Sequence, residues 1–169
     1  MFFIPGIVIA ILTFPGVIVH EAGHRLFCHL ARVPVYETCY FRFGNPAGYV
    51  IHEQVHSYWA AFLISVAPFI TNTTVALLIF AVAVNVSSNL VAYPLYWLGL
   101  SIGMHSFPSG EDANNLWSYS KRSFRYNPLA ILGFPVVILI KIANVLSRVW
   151  FDLFYSFGLL LLVSSVLSK

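Results

Sequence analysis

The chain has 169 residues, of which 59% are hydrophobic and only 9% charged, with a mean hydropathy of +0.82. A soluble domain carries roughly 25% charged residues, and a globule of this size could not cover a water-facing surface with so few. This composition excludes an ordinary soluble domain and predicts an integral membrane protein, because lipid can solvate an apolar exterior. The net charge of +3 comes from basic residues that form no run or stripe, which argues against a nucleic-acid partner, and Cys28 and Cys39 make no disulfide framework.

Length suggests one domain, 1–169, and in a bilayer a handful of spans, since each helix needs about 20 apolar residues. Residues 2–19 read FFIPGIVIAILTFPGVIV without a charge, and 20–31 continue as HEAGHRLFCHLA. A first span is predicted over about 2–31, kinked at Pro15 and ended by Pro34; roughly 30 helical residues reach about 45 Å. The lack of a basic n-region and the length of the apolar run predict a retained span, not a cleaved signal. VYETCYFRF is rich in β-branched and aromatic residues, and the turn signal Asn45-Pro46-Ala47-Gly48 separates it from GYVI. That pattern predicts a β-hairpin at the membrane surface over about 35–53.

A second span is predicted over 57–84, with Ser57 as its N-cap and Pro68 and Asn72 in its interior. The polar loop 85–89 leads into a short third segment, 90–104. Residues 105–127 are the longest polar stretch. From 128 to 167 the chain is apolar again, interrupted by Lys141, Asn144, Arg148 and Asp152. Those forty residues hold either two spans or one interfacial helix and one span. The fold expected is an all-α integral membrane protein, a bundle of four to five transmembrane helices with a small β-hairpin. Arg25, Arg32 and Arg42 follow the first span, and Lys121, Arg122 and Arg125 follow the third. Positive residues favour the cytoplasm, so that side is expected inside, the N-terminus outside, and the chain multi-pass.

His20-Glu21-Ala22-Gly23-His24 is an H-E-x-x-H pattern. On a helix, residues four apart share a face, so both imidazoles can converge on one metal ion, with Glu21 beside them as a general base. Zinc would lower the pKa of a bound water from 15.7 to about 7. Ionisable groups in or beside a membrane helix cost a few kcal/mol near the bilayer centre and tend to face a protein interior where they have work to do. His52-Glu53-Gln54-Val55-His56 repeats the pattern, but it follows a strand signal, and without a helix its two rings need not share a face. An accessory role in substrate access stays open for it.

A catalytic zinc usually has three protein ligands. Asp112, on the same expected side, is the candidate for the third, with Glu111 and His105 as lesser ones. Ser109-Gly110-Glu111-Asp112 also reads as a helix start in which Asp112 is the reciprocal cap, and both readings stand. Asn72 either satisfies backbone freed by Pro68 or holds a substrate carbonyl.

A membrane helix with His-Glu-Ala-Gly-His, a surface β element and a later span followed by an aspartate resembles the site-2 protease family of intramembrane zinc metalloproteases, over roughly residues 1–120. The resemblance implies zinc held by His20, His24 and Asp112, Glu21 as base, and hydrolysis of membrane-embedded or membrane-adjacent peptides. That family's aspartate commonly lies in Leu-Asp-Gly; here it lies in Ser-Gly-Glu-Asp-Ala, which suggests a divergent, minimal branch. The hairpin edge is expected to hold an extended substrate by β-addition. Two other classes are kept: a membrane metal-binding or transport protein using His20, His24, His52, His56 and His105 as a path, and a non-catalytic assembly subunit.

Overall fold

The computed structural model describes residues 6–167. These are mostly helical, 73%, with one two-stranded antiparallel sheet. In chain order the elements are α1 (Gly6–Leu12), α2 (Phe14–Leu30), β1 (Val35–Cys39), β2 (Tyr49–His52), α3 (Tyr58–Ala83), α4 (Asn89–Met104), α5 (Gly110–Ser123), α6 (Gly133–Leu146) and α7 (Phe151–Leu167). Short 3-10 turns at Pro128–Leu132 and Ser147–Val149 precede and follow α6. Among the described residues, Tyr58–Ala83 and Pro128–Val149 are long and apolar enough to cross a membrane, and α1 with α2 makes a third such stretch if a bent pair is counted as one.

The expected single helix over 2–31 is not formed. Its residues 2–5 lie outside the described residues, and the rest divides at Thr13 into two helices set at 89°. The physical reason is local. Pro15 has no N–H to extend the first helix and stands in the first turn of the second, where a missing donor costs nothing. The Thr13 amide (2.9 Å) and hydroxyl (2.6 Å) still donate to the Ile9 carbonyl as the last helical turn of α1 requires, but the Thr13 backbone (φ −118°, ψ 32°) has left the helix. The remaining boundaries differ from the expected ones by a residue or so. Ser57 takes the extended backbone of an N-cap, although its side chain makes no capping bond.

Helix α3 is the axis of the molecule and packs on α2, α4, α5 and α7. Helix α2 runs antiparallel to it, with Gly16 near Asn72, Gly23 against Thr71 and His24 beside Ile64. Two glycines let the backbones approach. A Cβ on Gly23 would lie 2.3 Å from Thr71 Oγ1, and one on Gly16 would lie 2.1 Å from the Ser101 carbonyl oxygen of α4. Residues 16, 20, 23 and 24 share one face of α2, so the same contacts that seat the helix turn His20 and His24 inward.

Helices α6 and α7 follow α3 end to end in its own direction. The Tyr58 hydroxyl at the start of α3 reaches the Ala130 carbonyl just before α6, and Val66 and Phe69 share a cleft with Val136, Leu139 and Ala143. Beyond the break near Trp150, whose backbone is left-handed (φ 66°), Tyr155 of α7 bonds Thr73, and Val163 packs on Phe80. The hairpin pairs Thr38 with Val50 and Cys39 with Tyr49 and carries an irregularity between Val35 and Glu37. Its connecting loop, 40–48, folds back toward α2, so that a Cβ on Gly48 would lie 2.6 Å from Glu21 Cγ.

Candidate metal centre

Helix α2 brings the His20 and His24 rings to 5.1 Å between centroids, one turn apart. Helix α5 supplies Asp112 from the far side of the sequence. The candidate donor atoms of His20, His24 and Asp112 all lie within 4.8 Å of one another, and His24 Nε2 stands 3.5 Å from Asp112 Oδ1. Tetrahedral zinc with bonds of about 2.0–2.1 Å places its ligands roughly 3.3 Å apart, so the donor set needs only small side-chain rotations to close on an ion.

The tautomers of both histidines follow from their partners. His20 Nδ1 lies 2.8 Å from the His105 carbonyl oxygen, and His24 Nδ1 lies 3.0 Å from the Ile64 carbonyl oxygen. A carbonyl only accepts, so each Nδ1 must carry the proton and donate it, which leaves each Nε2 with a bare lone pair. Turned toward the Asp112 carboxylate, such a lone pair is repelled unless a cation or a second proton lies between. The donor chemistry fits a divalent ion, with the histidines oriented by carbonyls as metal-bound imidazoles generally are.

Asp112 is both ligand candidate and cap, one oxygen for each role. Its Oδ2 accepts from the Ser109 amide at 2.7 Å and from the Ser109 hydroxyl at 2.6 Å, while the Asp112 amide donates to Ser109 Oγ at 3.1 Å. This capping box starts α5 and holds the carboxylate so that Oδ1 faces His24. Burial is the largest single influence on this carboxyl and pushes its pKa up. A positive His24, its ring carrying a second proton on Nε2, outweighs it together with the Ser109 hydroxyl, and the two hold the group below the usual carboxylate range.

Glu21, 8% exposed, is the next residue after His20 and borders a cavity of about 670 Å³ that also touches His20, His24 and Asp112. Tyr49, Val50 and His52 of β2 also line it. The cavity thus joins the buried Glu21, three side chains able to hold a metal ion and residues of a strand.

Other residues singled out in the sequence stand differently. The amide of Asn72 does not face the cavity. It is fully buried, and its Nδ2 reaches the carbonyls of Gly16, Ile102 and His105, each at 3.1 Å. A substrate carbonyl would find that donor already engaged, so the substrate-binding expectation for Asn72 is replaced by a clamp joining α2, α3 and α4. His105 lends the centre its carbonyl, while its ring binds the Thr13 hydroxyl at 2.8 Å. Glu111 is exposed and lines the cavity, and Asp152 of α7 accepts from the Ser147 hydroxyl at 2.7 Å. The segment 53–57 that carries the second H-E-x-x-H is not helical; His52 ends β2 and His56 is exposed. Among the described residues, only His20, His24 and Asp112 form a group of three or more side chains able to hold a metal ion.

Sequence reasoning missed the two carbonyls. The proline at position 68 was the signal for one of them, because it frees the oxygen four residues earlier. Comparison with family models, curated proteins and solved structures gives no match.

Proposed function

We propose that the protein is a zinc-dependent intramembrane endopeptidase of the site-2 protease type, acting on membrane-embedded or membrane-adjacent peptides. The observation that carries this reading is the convergence of His20, His24 and Asp112 beside the buried carboxylate of Glu21, on one cavity. His20 and His24 hold the ion through Nε2 and Asp112 through Oδ1. A zinc ion held there would supply Lewis acidity and lower the pKa of water at the site. Glu21 accepts the proton of the attacking water and returns it to the leaving amine. The hairpin, whose Tyr49, Val50 and His52 line the cavity, receives the substrate as an added strand, which presents a carbonyl that a helical substrate would keep hydrogen-bonded.

In this reading α1–α2, α3, α4 and α6–α7 make four crossings, the last broken near Trp150. The N-terminus is outside, and the hairpin and α5 are on the cytoplasmic side with Arg25, Arg42, Lys121 and Arg122. The test is metal analysis of the purified protein together with cleavage of reconstituted membrane peptides. Stoichiometric zinc, and chelator-sensitive cleavage that Glu21→Gln abolishes without releasing zinc, are expected. Normal cleavage by Glu21→Gln, or a metal-free wild type, defeats the reading.

A further inference from the structure

Both rings of the centre are aimed by carbonyl oxygens that helix hydrogen bonding leaves without a partner, and the two oxygens are freed in different ways. His105 caps the C-terminal end of α4, where carbonyls have no following turn to bond. Ile64 lies inside α3, where its oxygen would ordinarily accept the amide N–H of residue 68. Residue 68 is proline, buried within that helix, and has no N–H to give.

We propose that Pro68 is a positioning residue of the metal centre: by withholding one N–H it reserves the Ile64 carbonyl for His24 Nδ1, and so fixes the tautomer and direction of a metal ligand from the helix opposite. This rests on the metal-centre reading above and adds to it a device on α3, which contributes no ligand of its own. The neighbouring donors are committed elsewhere. Thr71 Oγ1 turns to the Ala67 carbonyl at 3.0 Å, and Asn72 Nδ2 is shared among Gly16, Ile102 and His105. His24, at 3.0 Å, is the side chain that satisfies the Ile64 oxygen. The need is mutual. A buried carbonyl left bare is costly in a membrane helix, and so is a buried imidazole N–H. With an ordinary residue at 68, the restored helical bond would compete for the same lone pairs and free the ring to turn or to change tautomer.

Pro94 in α4 is the internal control. It also interrupts a helix, but the oxygen it frees belongs to Leu90, an exposed residue in the first turn, and among the described residues no imidazole bonds it.

The experiment uses full-length protein in detergent. Zinc affinity is measured by chelator competition, and ligand geometry by the visible spectrum of the cobalt(II)-substituted protein. Four proteins are compared: wild type, Pro68→Ala, Pro94→Ala, and a chain in which residue 68 is incorporated as the α-hydroxy acid of alanine. In the last, an ester oxygen replaces the amide N–H without the pyrrolidine ring. Pro68→Ala is expected to weaken zinc binding by about 10- to 100-fold and to alter the cobalt bands, as loss of an outer partner of a metal-bound histidine does. Pro94→Ala should match wild type, and the ester at 68 should bring affinity and spectrum back toward it. An unchanged affinity and spectrum in Pro68→Ala overturns the proposal. An ester variant as weak as Pro68→Ala also overturns it, because the ring's bend and not the missing donor would then be responsible. A wild type that binds neither zinc nor cobalt removes the metal-centre reading itself, and this inference with it.

Discussion

His20–His24 and His52–His56 carry the same five-residue pattern, yet only the first brings its imidazoles together. The first lies on α2, where a spacing of four is one turn and both rings share a face. The second leaves the end of β2 and enters a non-helical segment, so the same spacing gives no common face. The surroundings differ as much as the backbone. Around the first copy, two carbonyls fix the rings and an aspartate closes the triangle. Around the second, the His52 ring bonds the adjacent Glu53 carbonyl at 2.7 Å, and His56 is exposed. A metal motif is therefore a statement about secondary structure and its neighbours before it is one about residue types.

The most forceful way to break this comparison is to delete one ring from each copy. His24→Ala should lose zinc and all cleavage, while His56→Ala should keep both; metal analysis by mass spectrometry on the two purified variants decides it, and the reverse pattern would transfer the centre to the second copy. Next in size is the base. Glu21→Gln should retain zinc and lower kcat by roughly 10²- to 10⁴-fold, the range of general acid–base catalysis, as read by single-turnover cleavage.

A smaller effect sharpens the double role of Asp112. Asp112→Asn removes the ligand charge but keeps an acceptor for the cap, so zinc affinity should fall while thermal stability changes little. Ser109→Ala removes the partner instead and should cost about 1 kcal/mol of stability, as lost N-caps do, with a milder loss of zinc affinity. Equal losses of zinc in the two variants would mean that orientation, not ligation, is Asp112's contribution. The smallest expected effect concerns how α2 is seated. Gly23→Ala places a methyl group against Thr71 and should destabilise the α2–α3 contact by roughly 1–3 kcal/mol, the usual cost of overpacking. Thermal unfolding in detergent measures it, and Gly6→Ala, which meets nothing, serves as its comparison.

Much of this protein is legible in one dimension. The charge-poor composition predicts helices apolar enough to cross a membrane, and the fold contains them. The long apolar run 57–84 returns as α3 within a residue at each end, and the β-branched, aromatic stretch around the Asn-Pro turn returns as a hairpin. The H-E-x-x-H of 20–24 carries its own geometry once it is helical, because the period of the helix is local. Pro15 predicts a kink, yet the chain breaks and turns by 89°, because Thr13 leaves helical backbone (φ −118°, ψ 32°) just before a proline that has no N–H to carry the first helix on. Asp112 was ambiguous for a good reason. A carboxylate has two oxygens, and no local pattern says that one can cap while the other faces a histidine 88 positions earlier in the chain.

By itself, then, the sequence determined what repeats over a few residues: apolar spans, turn chemistry, helix starts and the one-turn spacing of His20 and His24. Only the tertiary structure decided which groups meet across long separations. It set Ile64 O against His24, His105 O against His20, Asn72 between three carbonyls, and Asp112 against His24. Those choices depend on which buried carbonyls are left without a helical partner and which side chains lie near enough to satisfy them. That is a property of packed helices in space, which periodicity along the chain does not encode.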